Sequence, residues 1–163
     1  MYHLATLFVL LGSSLLSFPA PSRAAQPDNC RGDKSAAGYC TPLTFKDTTA
    51  GFAAPPVTAD CQATCASINA DLGDWLVDFS TDGNQSGDAR FHDIVLHHCG
   101  FAVARGPGTP ADARFFLANQ DILDLYDETI HRFGGLHQGG ISAEGTMRCG
   151  ELLIKWYIQE LYA

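Results

Sequence analysis

The cleanest alternation of apolar and polar positions lies near the end of the chain. Ile141, Ala143, Gly145, Met147 and Cys149 fall on one side, and Ser142, Glu144, Thr146 and Arg148 on the other. A period of two predicts a half-buried strand. Gly150-Glu151 then offers a turn, and Leu152, Ile154, Trp156 and Ile158 repeat the pattern, so the two segments predict a hairpin. The same period marks Trp75, Val77 and Phe79, and again Cys99, Phe101 and Val103, the latter ended by Gly106-Pro107-Gly108. Shorter β-prone stretches occur at Tyr39 to Phe45 and Phe115 to Leu117. Helical spacing appears twice. Cys61, Cys65, Ile68 and Leu72 form one stripe of a helix predicted over 58–72, with Thr58 as a cap, Asp60 at its positive end and Gly73 as its stop. Ile122, Tyr126, Ile130 and Phe133 form the core stripe of a second helix, opened by Asn119 and ended by Gly134-Gly135.

The order strand, helix, two or three strands, helix, hairpin predicts an α+β domain, an antiparallel sheet with two helices packed on one face. Before it, Leu4 to Phe18 is an apolar run broken by Pro19-Ala20-Pro21, and Ser22-Arg23-Ala24 supplies small residues at a cleavage site. That layout is expected of a signal peptide over 1–24, the run being short for a membrane span. Residues 25–37 are polar and read as an extended arm pinned by Cys30, leaving one domain over 38–163.

Charge and cysteine content narrow the function classes. Without residues 1–24 the chain keeps nine Lys or Arg against eighteen Asp or Glu, so nucleic acid and anionic lipid are not sought through bulk electrostatics. Recognition of a partner must be local, with no nucleic acid and no stable membrane insertion expected. All six cysteines, Cys30, Cys40, Cys61, Cys65, Cys99 and Cys149, follow the expected cleavage point. An even count in an exported chain reads as three disulfides, with about fifteen possible pairings. Cys61 and Cys65 face one way on their helix and each needs a partner elsewhere. No C-x2-C pair points to zinc, and no metal or cofactor is expected.

Candidate chemistry is sparse. His92, Asp93, His97, His98 and Cys99 are the densest group of possible ligands. Were the stretch a strand, Asp93 and His97 would share a face but lie about 13 Å apart, too far to share an ion. Surface histidines explain them as well. Asp121, Asp124, Asp127 and Glu128 line the second helix; such carboxylates could serve acid–base work, but a solvated face predicts them equally well, and His131 sits near the helix C-terminal end. There is no G-x-S-x-G elbow and no phosphate-cradling glycine loop. Catalysis is not expected. Arg31-Gly32-Asp33 spells an adhesion tripeptide of a kind that a polar arm produces by accident, and Asn84-Gln85-Ser86 is a glycosylation sequon in a Gly/Asp-rich loop.

Several of these pieces, taken in order, resemble one family. They are Gly38-Tyr39-Cys40, Thr44-Phe45, Asp47-x-Thr49, Pro56-Val57-x-Ala59-Asp60-Cys61, Trp75-x-Val77 and Cys99-x-Phe101-Ala102-Val103. Asn119-Gln120-Asp121-Ile122-x-Asp124 and Gly140-x-x-Ala143-x-Gly145-Thr146-Met147-x-Cys149 complete the set. Over about Gly38 to Trp156 the chain is similar to the fungal necrosis-inducing effectors founded on extracellular protein two of a tomato leaf-mould fungus. The resemblance implies a secreted, non-enzymatic virulence factor, a monomer acting on an unknown plant protein or cell-surface target. More distantly it implies the α/β sandwich of a virus-encoded fungal killer toxin. It matches Cys40, Cys61, Cys99 and Cys149 to the family core, which implies that the additional Cys30 and Cys65 pair with each other. Gln85 to His97 is longer than the family norm. An antimicrobial killer-type toxin and a small secreted hydrolase using the His92–His98 region are the rival readings.

Overall fold

The computed structural model describes residues 28–36, 38–71, 73–81 and 92–161. The expected signal segment, Leu72 and the sequon at Asn84 lie outside the described residues. The strands are β1 (Cys40–Asp47), β2 (Trp75–Asp78), β3 (His92–Val95), β4 (Gly100–Arg105), β5 (Arg114–Leu117), β6 (Ala143–Cys149) and β7 (Leu152–Gln159). The helices are α1 (Thr58–Ala70) and α2 (Asn119–Phe133). The fold is α+β, with every strand pairing antiparallel.

The strands form two sheets, where the alternation had suggested one. Five lie in the order β1-β6-β7-β4-β3, while β2 and β5, among the described residues, pair only with each other. The hairpin is as expected: Cys149 pairs with Leu152 across Gly150-Glu151, and Gly150 takes the φ of +59° that the tight turn requires. On the inner face of the large sheet, Phe101, Val103, Met147, Ile154, Trp156 and Ile158 are fully buried. Both helices and the inward side of the ribbon, Val77, Phe115 and Leu117, join that same core. Tyr126 of α2 is typical: its ring lies tilted at 6.3 Å from that of Phe101, and it donates its hydroxyl to the Cys99 carbonyl at 2.8 Å.

β1 breaks strict alternation. Pro42 pairs with Met147 but Thr44 pairs with Thr146, so Leu43 is an extra residue bulged out of the ladder. The bulge lets Phe45 turn inward, edge-on to Trp156 at 5.0 Å, and leaves Leu43 exposed. It also blunts an edge strand that already carries Pro42 and Lys46.

The α1 cap differs from expectation. Val57, held by a bridge to Gly140, occupies the cap position, and the Asp60 carboxylate accepts its N–H at 3.1 Å. Thr58 is already helical, and its hydroxyl donates to the Gly139 carbonyl. Tertiary pairing of Val57 set the boundary, not cap preference. The arm is not extended either: over 28–36 it folds back on α2, where Lys34 bridges Asp124 at 2.7 Å and Asp127 at 2.8 Å.

Three disulfides cross-link this body: Cys30–Cys65, Cys40–Cys149 and Cys61–Cys99. The first ties the arm to α1, the second closes the open end of the β1–β6 pair, and the third ties α1 to the start of β4.

Candidate functional site

Asn119, Gln120 and Asp121 open α2, and each holds a different part of the chain. Asn119 accepts the Trp75 indole N–H at 2.7 Å and donates to the carbonyls of Ile68 at 3.1 Å and Asp71 at 2.8 Å, so it docks the end of α1 and the start of β2. Gln120 accepts the Asp33 N–H at 2.8 Å and so holds the arm. Asp121 accepts the N–H groups of Ala118 at 2.9 Å, Tyr39 at 3.0 Å and Cys40 at 3.2 Å. A Cβ on Gly38 would collide with that carboxylate, which is why a glycine stands there. Asp121 is therefore buried and is not part of a solvated acidic face. Burial pushes its carboxyl above the usual range, the three N–H donors pull the other way, and the Asp124 carboxylate adds to the rise.

Asp121→Asn is expected to cost about 1–3 kcal/mol, because the amide turns a donor toward a buried N–H. The pH response follows. Between the ordinary value of 3.8 and the raised folded value, the native state holds more protons than the unfolded one, so this carboxyl makes stability fall as pH rises through that window. Urea melts at a series of acidic pH values check it: the variant loses this downward component.

The remaining candidates are dispersed. β3 ends at Val95, so His97 and His98 stand exposed in the turn before β4, not on a strand. His92 lies 6.2 Å from Phe79 in an edge-to-face contact. His131 is exposed, and Glu128 pairs with Arg132 at 2.7 Å along the helix. Among the described residues, no group of three or more His, Cys, Asp or Glu is placed to hold a metal ion. Arg31-Gly32-Asp33 does not project as a free tip: the Asp33 carboxylate is occupied by the Ser35 N–H and hydroxyl. Sequence reasoning missed His137, whose Nε2 lies 2.7 Å from Asp47 Oδ2. Burial works to raise the Asp47 carboxyl, but hydrogen bonds from Thr49 and His137 outweigh it and hold it below the ordinary range. The pair closes the loop after α2 onto the end of β1.

What the fold does bring together is an apolar surface. Leu76 and Phe116 are cross-strand partners on the outward side of the β2–β5 ribbon, and the Tyr39 ring lies 6.1 Å from Phe116. Their exposures, 53 % for Tyr39, 56 % for Leu76 and 53 % for Phe116, are high for side chains of this size. Asp121 fixes the backbone at Tyr39, and the Tyr39 hydroxyl donates to exposed Asp74 at 2.9 Å. The Cys40 sulfur sits 3.9 Å from the Phe116 carbonyl oxygen, so the Cys40–Cys149 bridge borders the patch. The signal was present at Leu76, the open position of Trp75-x-Val77, but only the pairing shows that Phe116 and Tyr39 join it.

None of the described helices is long and apolar enough to cross a membrane. No curated protein matches the chain. Residues 39–149 match the Hce2 family, described as pathogen effectors and candidate necrosis-inducing factors. That span runs from Tyr39 of the patch to Cys149 of the disulfide bordering it, and the chain belongs to this family of pathogen effectors.

Proposed function

We propose that the protein is a secreted, non-enzymatic effector that acts on plant host cells through contact rather than catalysis. The family match over 39–149 carries this reading. Three disulfides agree with an oxidising, extracellular route, along which Asn84 would meet the glycosylation machinery. The exposed Tyr39–Leu76–Phe116 patch supplies a recognition surface of the aromatic, apolar kind that protein interfaces favour. A monomer presents that patch fully.

Infiltration of the oxidised protein into leaves of several plant hosts tests the reading. Cell death or ion leakage is expected, with none from protein reduced and alkylated beforehand. The double variant His97→Ala, His98→Ala should act as the parent does. Loss of activity in that variant would favour a hydrolase, and growth inhibition of rival fungi without any leaf response would favour an antimicrobial toxin.

A further inference from the structure

Among the described residues, no strand pairs with the outer edge of β2 in the β2–β5 ribbon. Phe79 donates its N–H to the Ala113 carbonyl at 3.1 Å, which continues the register in which Trp75 faces Leu117 and Val77 faces Phe115. Hydrogen-bonded pairs alternate along an antiparallel ladder, so Val77–Phe115 and Trp75–Leu117 are bonded pairs, and Leu76–Phe116 is a non-bonded one. The peptide N–H and C=O of Leu76 therefore point away from β5. No described group bonds them. On the face above this edge stand the three exposed apolar side chains, and at the start of β2 stand Asp71 and Asp74, both exposed and neither paired with a cation among the described residues.

From this juxtaposition we infer that β2 accepts an extended segment of a partner protein as a third strand of the ribbon. The segment carries an apolar side chain over Leu76 and Phe116, and a Lys or Arg two positions along it that reaches Asp74. Each element of the site asks for one feature of that segment. The outward N–H and C=O of Leu76 ask for a backbone, which a flat apolar partner or a sugar ring does not supply. The aromatic pair asks for an aliphatic or aromatic side chain. Residues two apart on a strand share a face and lie about 7 Å apart, which spans the distance from the patch toward the acidic end of β2. The acidic chain, with 18 Asp or Glu against 10 Lys or Arg, favours a basic partner over an acidic one. This rests on the reading of the patch as the contact surface, and it adds the chemistry of the partner.

The test uses the oxidised full chain, labelled with ¹⁵N, and two short serine-based peptides. One carries Leu and Lys two positions apart, and the other replaces Lys with Glu. The Lys peptide is expected to shift the resonances of Tyr39, Leu76 and Phe116 and to slow hydrogen exchange at the Leu76 amide. Its affinity should fall by about tenfold or more in Phe116→Ser, and its salt dependence should flatten in Asp74→Asn. Leu76→Thr, which keeps a β-prone residue on the ribbon, serves as the second variant should Phe116→Ser fail to fold. Equal binding of the Glu peptide, shifts confined to other surfaces, no binding, or an unchanged Leu76 exchange rate would each overturn the inference. So would occupation of the patch by a second copy of the chain, seen as concentration-dependent shifts without peptide. Leaf infiltration reads a separate quantity: peptide binding without leaf response sinks the effector reading alone, and leaf response without peptide binding sinks this one alone.

Discussion

Replacing Cys61 and Cys99 with serine is expected to destabilise the protein more than replacing Cys40 and Cys149, although the second bridge closes the longer loop. The bridges span 38 and 109 residues. Chain entropy alone gives about 4 kcal/mol to the first and about 5 kcal/mol to the second. Burial reverses the order. Cys61 and Cys99 are fully buried. Two serine hydroxyls left there without partners would add roughly 1–3 kcal/mol each. Cys149 is 4 % exposed and carries one such penalty, but Cys40 is only half-buried, so a serine there keeps access to water and the second bridge adds one penalty against two. A total loss of this size is comparable to the net stability of an ordinary domain, about 5–15 kcal/mol, so the Cys61/Cys99 variant should be largely unfolded at physiological temperature. Guanidinium melts of the two double variants decide the matter. A lower midpoint for the Cys40/Cys149 variant would mean that loop closure, not burial, sets the contribution of these bridges.

The second large effect is expected at Gly145, where addition of one methyl group should cost about 3 kcal/mol or more. In the β6–β7 register Gly145 lies opposite Trp156. A Cβ there would collide with the Thr44 carbonyl oxygen and sit 2.5 Å from the Trp156 ring. Neither neighbour can give way. The carbonyl belongs to the β1 backbone, and the indole is wholly buried with Phe45 against it. Overpacking of a closed core costs about 1–3 kcal/mol when side chains can adjust, and here one of the two obstacles is backbone. Gly150→Ala provides the control, since its Cβ meets nothing within 4 Å and only the φ of +59° penalises it, by about 1 kcal/mol. Thermal melts should rank Gly145→Ala far below Gly150→Ala. Combining Gly145→Ala with Trp156→Leu should be less harmful than the two single effects added together, because a smaller side chain relieves the ring part of the clash. Full additivity would place the strain entirely on the Thr44 carbonyl.

Local residue spacing was enough to set most of the elements and their chemistry. Period two and period 3.6 are local properties of consecutive residues, so α2 and the strands of the hairpin were legible to within a residue or two. The even cysteine count, the acidic balance and the ordered motifs of the family were legible for the same reason. Pairing was not. Whether β2 joins the large sheet or pairs with β5 depends on which apolar sides meet across the chain, a comparison between residues about forty positions apart. The bulge at Leu43 settles which of Pro42, Thr44 and Phe45 face inward, and its cause is the fit of Phe45 against Trp156. Asp121 read as one acid on a solvated helix because two of its three N–H partners, Tyr39 and Cys40, are invisible until they fold against α2. The exposed patch was hidden for the same reason. Tyr39, Leu76 and Phe116 come from three segments, each unremarkable alone, and only the closed chain sets them side by side facing water.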